Sequence, residues 1–298
     1  MPIGESKEPA FTSNGMVTVK DIDALRDLVA QARAEGKSIG LVPTMGALHE
    51  GHASLLRAAR QNTGYVVASI FVNPTQFGPA EDLERYPRTL DEDLAMCRRD
   101  GVDLVFTPTA ESMYPPGFRT FVEVHGLQDL LCGATRPGHF RGVATVVLKL
   151  FLMVRPDLAY FGQKDAQQAR IIEQMVSDLN AGVQIVVCPI IRESDGLALS
   201  SRNRYLTAEE RRNAVILYQA LEEARARIAA GERDGARVRQ MMTARITAAK
   251  GAVVDYAAVV DTTRLQPIKE LQGSILLAVA VRFGQTRLID NMTISIDP

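Results

Sequence analysis

The chain has 298 residues, 46% hydrophobic and 23% charged, and its 34 basic and 35 acidic side chains leave a formal net charge of −1. This length predicts two domains of ordinary globular composition. The charge balance gives no electrostatic footprint for a nucleic-acid partner beyond a local basic patch, and 6% aromatic residues with no Trp do not favour a base-stacking platform.

Residues 1–15, MPIGESKEPAFTSNG, are polar, lack the apolar core of a signal peptide and read as a disordered leader. Within 19–35, Ile22, Leu25, Leu28 and Val29 recur at helical spacing, and Gly36 is a stop. IGLVPT (39–44) is a short apolar strand ending in a turn, 53–60 is helical, and YVVASIFV (65–72) is a strand. Thr89 and Glu92 form a capping box that opens a helix to about Asp100, followed by the strand VDLVFTP (102–108). Residues 142–154 read as a buried helix. Their apolar run from Val143 is interrupted by Lys149 and is too short to cross a bilayer. The strand LAYFG (158–162), a helix over 166–180 and the strand VQIVVCPII (183–191) complete the series.

Short apolar strands separated by helices predict a doubly wound α/β fold, a Rossmann-like parallel sheet covered on both faces, over 16–191. Behind it, Thr207 and Glu210 form a second capping box for a long helix to about Ala230, another helix spans 236–250, and 254–261 and 275–284 are β-structure. This predicts a smaller α+β domain over 192–298 that closes over the active site. Cys97, Cys132 and Cys188 are scattered without a CxxC pair, so no disulfide framework or cysteine zinc site is indicated. That usage suits a cytoplasmic protein.

Doubly wound sheets bind ligands beyond the carboxyl ends of their strands. PTMGALHEGH (43–52), FVNPTQFG (71–78), FGQKDAQQ (161–168) and the segment after Ile191 all fall there. His49 and His52 are three residues apart at the start of a helix, whereas a zinc box needs i, i+4 and a third ligand. A glycine-bearing turn into a helix N-terminus offers free N–H groups and a positive dipole end, so the pair reads as phosphate-handling. The plain alternative is a strand–turn–helix with incidental histidines. Lys164, directly after a strand end and beside Asp165, suits a polyphosphate, against the alternative of surface charge and capping. SDGLALSSRNRYL (194–206) combines hydroxyls and guanidinium groups into an anion clamp able to close over a nucleotide, or else is a solvated interdomain loop. Asn73, Gln76 and Gln168 are neutral amides suited to hydroxyl and carboxylate groups. The sequence contains no GxxxxGK[ST], GxGxxG or GxSxG, which argues against P-loop phosphoryl transfer, a dinucleotide cofactor and a serine hydrolase. The combination describes a nucleoside triphosphate site with room for a small polar substrate.

PTMGALHEGH, SIFVNPTQFG, EDLERYPRT, RPGHFRGVATVVLKL, FGQKDAQQ and LALSSRNRYL, in this order, closely resemble the pantothenate synthetase (pantoate–β-alanine ligase) family from about residue 17 onward. That family belongs to the nucleotidylyltransferase superfamily, related to class I aminoacyl-tRNA synthetases. The resemblance implies that ATP and (R)-pantoate give pantoyl adenylate and pyrophosphate with Mg²⁺, and that the β-alanine amine then releases pantothenate and AMP. It implies ATP contacts for Met45, Gly46, Ala47, Leu48, His49, Glu50, Gly51 and His52. Further ATP contacts follow for Gly162, Gln163, Lys164 and Asp165, for the Ile191 backbone, and for Leu199, Ser200, Ser201 and Arg202.

By the same resemblance, His52 takes the proton donor's place and His49 contacts phosphate. Lys164 and Arg202 stabilise the pentavalent phosphorus, and Gln76 and Gln168 hold pantoate with Asn73 in support. Arg136 and His139 are neighbours of the pantoate pocket. No metal ligand is placed: Asp91, Glu92 and Asp93 lie near a family acidic patch, but Mg²⁺ is expected to ride mostly on the phosphates. Leu199 stands where many relatives have Met, a volume-conserving change. A homodimer is implied as well, while composition and patterning predict a cytoplasmic protein with neither nucleic-acid nor membrane partners. The alternatives are another HxGH nucleotidylyltransferase or a non-catalytic nucleotide-binding module.

Overall fold

The computed structural model describes residues 10–11, 15–79 and 81–296. The chain runs β1 (Ala10–Phe11), β2 (Val17–Val19), α1 (Ile22–Ala34), β3 (Ile39–Thr44), α2 (Glu50–Asn62), β4 (Tyr65–Ile70), α3 (Leu90–Arg99) and β5 (Leu104–Phe106). Then come α4 (Ala110–Met113), α5 (Cys132–Thr135), α6 (His139–Val154), β6 (Leu158–Gly162), α7 (Ala166–Asp178) and β7 (Gln184–Cys188). These strands form one sheet in the order β1-β2-β5-β4-β3-β6-β7, parallel except where β1 pairs with β2.

The strands are apolar throughout because both faces are buried. Leu41, Val67 and Leu104 belong to the core beneath α1, α6 and α7, whereas Val42, Val66, Ala68 and Val105 belong to the one beneath α2 and α3. A side chain such as Leu41, with none of its surface exposed, contributes about 1.5–3 kcal/mol. The chain leaves β3 toward β4 on one side and reaches β6 on the other, so the order reverses between β3 and β6. Their carboxyl ends open the crevice in which doubly wound folds bind ligands.

The smaller C-terminal domain follows with α8 (Ala208–Ala214), α9 (Ile216–Ala229), α10 (Gly235–Thr247), β8 (Ala252–Asp261), β9 (Gly273–Phe283) and β10 (Thr286–Ile296) in an antiparallel sheet of order β10-β9-β8. Strand alternation explains how it is joined to the first domain. In β9, Ile275, Leu277, Val279, Val281 and Phe283 share a core with α9 and α10, while Leu276 and Ala278 pack into the core of the first domain.

The structure adds to or departs from the sequence reading at four points. Most of the leader lies outside the described residues; within it, Ala10–Phe11 pair with β2. Thr89 makes no capping bond. Its backbone (φ −126°, ψ 48°) is outside the extended region of a capping residue and its hydroxyl donates to Asp93 Oδ1 at 3.3 Å, so the α3 box does not form, whereas that of Thr207 and Glu210 does. The long helix to Ala230 is divided at Val215 into α8 and α9. Strand β10 is not readable from the sequence pattern, because Arg287, Asp290 and Asn291 break its apolar alternation.

Candidate active site

The loop from β3 into α2 is shaped by a carboxylate brought from α3. Asp93, 2% exposed, accepts from Ala47 N at 3.0 Å and Leu48 N at 2.7 Å. Gly46 has φ +80°, and a Cβ there would meet Asp93 Oδ2 at 3.0 Å, so the turn needs glycine on both counts. Burial pushes the Asp93 carboxyl above its ordinary range, against the amides that lower it. Held this way, Asp93 is a loop anchor.

The turn delivers His49 and His52 to the start of α2. His49 Nδ1 accepts from Gly51 N at 3.1 Å, and His52 Nδ1 accepts from His49 N at 3.3 Å. The two rings lie 4.2 Å apart. With each Nδ1 an acceptor, each ring carries its proton on Nε2, which is left as a donor. Burial, and then the Lys164 charge, lower His49 to about 4. Burial, then His49 and Lys164, lower His52 to about 3. Both rings are neutral hydrogen-bond donors at pH 7.

Across the crevice, the 3₁₀ turn Gln163–Asp165 connects β6 to α7 and carries Lys164. The Ser200 hydroxyl caps the following 3₁₀ turn by accepting from Arg202 N at 3.2 Å. The Arg202 guanidinium forms a fork on Asp82, with Nε to Oδ2 at 3.0 Å and Nη2 to Oδ1 at 2.9 Å.

The amide wall is equally determined. Asn73, 1% exposed, donates to Gln76 Oε1 at 3.0 Å and to the Gly142 carbonyl at 3.1 Å, and accepts from the Tyr114 hydroxyl at 2.8 Å. It therefore orients Gln76, whose Nε2 lies 3.0 Å from Met45 Sδ. His139 contacts the Gln76 carbonyl through Nδ1 at 2.8 Å and Arg136 through Nε2 at 2.9 Å. Burial and the Arg136 charge lower His139 to about 4. Gly142 is needed for this approach, since a Cβ there would come within 2.4 Å of the Thr75 carbonyl oxygen.

Met45, His49, Gly51, His52, Asn73, Gln76, Gly162, Lys164, Asp165, Gln168, Ile191, Leu199, Ser200, Ser201 and Arg202 line one cavity of about 220 Å³. It shares Lys164, Asp165, Gln168, Ser200 and Arg202 with a cleft of about 960 Å³ that runs toward the C-terminal sheet. The shared wall holds Arg136, Lys164 and Arg202, so the two spaces adjoin as one candidate site. Five expected contacts do not line it. Gly46, Ala47 and Leu48 build the turn that Asp93 holds, Glu50 pairs with Arg57, and Gln163 turns its side chain to Asn291 Oδ1 at 3.0 Å and Thr293 Oγ1 at 3.3 Å. Asp82 and Tyr86 are additions. Both sit in the motif EDLERYPRT, yet nothing local there marks Asp82 as the partner of Arg202, 120 residues away.

The family model described as pantoate-beta-alanine ligase matches residues 17–293. A pantothenate synthetase of Moorella thermoacetica is 56% identical over 282 residues, covering 95% of this chain and 100% of the relative. One from Acetivibrio thermocellus is 53% identical over 281 residues, 94% of this chain and 100% of the relative. Among solved structures, the pantothenate synthetase of Thermus thermophilus superposes with a TM-score of 0.89 at 45% identity, covering 94% of this chain and 99% of that one. The pantoate-beta-alanine ligase of Francisella tularensis, complexed with beta-gamma ATP and beta-alanine, gives 0.76 at 34% identity, covering 93% and 97%.

Proposed function

The chain belongs to the pantoate–β-alanine ligase family, and from that membership we propose that it joins (R)-pantoate to β-alanine with the cleavage of ATP. A pantoate carboxylate oxygen attacks the α-phosphorus in line, the bond to the β-phosphate oxygen breaks, and pyrophosphate leaves. The β-alanine amine then attacks the acyl carbon of pantoyl adenylate, forming the C–N bond of pantothenate, and AMP departs as the amine loses a proton. Both steps are driven by placement and charge stabilisation.

One observation carries the assignment of roles. The neutral amides of Gln76 and Gln168 line the same cavity as His49, His52, Lys164 and Arg202. The cationic wall suits a triphosphate, and the amides suit the hydroxyl and carboxylate groups of a small acid without adding charge. Nucleotide phosphates would replace Asp82 as the partner of Arg202. The Nε2–H groups of His49 and His52, at the α2 N-terminus, would meet oxygens on which charge develops.

Mg²⁺ belongs to this reading as the ion that neutralises phosphate charge. When bound, it would be held mainly by phosphate, water and one or two carboxylates. Asp165, which lines the cavity beside Lys164 and makes no side-chain capping bond, would be the carboxylate to join it. We take 16–191 as the nucleotide-binding domain and 192–298 as the domain that closes over it. Among the described residues no helix is long and apolar enough to cross a membrane; a cytoplasmic homodimer is part of the proposal. Light scattering after size exclusion is expected to read twice the chain mass of 32.6 kDa, and a monomer mass would remove the dimer.

ATP–pyrophosphate exchange tests the core of the reading. Exchange is expected only when (R)-pantoate is present. Exchange that ignores pantoate would favour another nucleotidylyltransferase, and none under any condition would favour a non-catalytic module.

A further inference from the structure

We infer that Asn291, on β10 of the C-terminal domain, is a positioning residue that fixes Lys164 in place for the adenylation step. Asn291 is 4% exposed, and its Nδ2 donates to the Gln163 carbonyl and to the Lys164 carbonyl, each at 2.9 Å. Its Oδ1 accepts from Gln163 Nε2 at 3.0 Å. Both amide hydrogens and the amide oxygen are thus engaged by two consecutive residues of the turn that carries Lys164. That turn has little to hold it locally. It is three residues long, and Asp165 at its end makes no side-chain capping bond. The Lys164 ammonium has no ion pair among the described residues, so its position is set through its backbone.

The neighbouring residue does the same for the segment that follows β7, the strand paired with β6. Asp290, 2% exposed, takes the Arg192 guanidinium in a fork at 2.6 and 2.9 Å, and its Oδ1 also accepts from Asn291 N at 2.8 Å. Arg192 directly follows Ile191 of the cavity lining. Two adjacent residues of one strand therefore anchor both segments that bring Lys164 and Ile191 to the cavity. The strand is itself registered by its eleven-residue pairing with β9, whose Leu276 and Ala278 are buried in the first domain's core. Domain packing thereby sets where the lysine stands.

This inference rests on the phosphate role given to Lys164, and a mutant cycle separates the two. In the full-length chain, Asn291→Asp keeps the shape but sets a carboxylate oxygen against the two carbonyls, and Asn291→Ala removes all three bonds without adding charge. A displacement of about 1 Å of a charge-stabilising group costs on the order of 100-fold in rate. Both variants are expected to lose about that factor in the maximal rate of pantoate-dependent exchange, with little change in KM for pantoate. In a Lys164→Ala background the same substitutions are expected to cost nothing more, because residues acting through one group are not additive. Thr293→Val removes only an acceptor of the Gln163 side chain and should leave the rate unchanged. Parental rates in the Asn291 variants, or losses that multiply in the double variants, would overturn the positioning role. A parental rate for Lys164→Ala alone would instead sink the phosphate role of Lys164, and this inference with it.

Discussion

Alanine at Lys164 is expected to lower the maximal rate of pantoate-dependent ATP–pyrophosphate exchange by on the order of 10²–10³-fold, the usual cost of removing one donor aimed at developing transition-state charge. Lysine is a compact cation on a flexible stem. Here it lines both the cavity and the cleft, and its field lowers the pKa of both His49 and His52. The charge thus reaches the histidine wall from the end of the neighbouring strand, β6. Because that charge matters most as the pentavalent phosphorus forms, the loss should fall on kcat more than on KM for ATP. Arginine is not expected to restore the rate, since a planar fork on a longer side chain does not reproduce a point charge. An unchanged kcat in Lys164→Ala would exclude the lysine from the chemical step.

The second large effect belongs to His52. Its replacement by alanine is expected to suppress adenylate formation about 100-fold, again the loss of one well-placed donor. His52→Gln should recover part of the rate, because at pH 7 the ring in the free protein is a neutral N–H donor that an amide can imitate. Phosphates bound against the ring favour its protonated form and raise its pKa, as a proton donor requires. A glutamine variant no better than alanine would point to proton transfer as the dominant role, and an alanine variant at full rate would remove His52 from the step.

The same ring carries a stability signature. An unfolded histidine titrates near 6.5, while His52 in the folded chain is held at about 3 and His49 and His139 at about 4. Folded values below the unfolded one mean that the unfolded chain binds more protons between these limits. The stability they allow is complete above pH 6.5 and falls as pH drops through that window toward 4 and 3. At about pH 5.5 each histidine costs about 1 kcal/mol relative to pH 7. His52→Gln should therefore flatten the acid loss by about that amount in denaturant titrations at the two pH values, and an unaltered slope would mean that His52 titrates normally in the folded protein.

Several of these features are legible without coordinates because their causes are local. IGLVPT and LAYFG are continuous apolar runs since both faces of a parallel sheet are buried, and that alternation with helices is enough to predict the fold class. The strand ends then bring HEGH, QKD and SSR to one edge, and His49 caps its own helix two residues ahead. Contacts that cross the chain leave no such trace. Asp93 reads as one member of an acidic run, yet it anchors amides 46 and 45 residues away. The Thr89 box fails because the backbone there leaves the extended conformation a cap requires, and the hydroxyl donates to that same buried carboxylate. Strand β10 is hidden by Asp290 and Asn291, two polar residues that are nevertheless buried, since Arg192 and the Lys164 turn satisfy them across 98 and 127 residues. Sequence periodicity reports which side chains water rejects. Which buried polar group meets which partner is decided only when packing brings distant segments within about 3 Å, and in this protein that decision sets the Lys164 turn and the loop leading to His49 and His52.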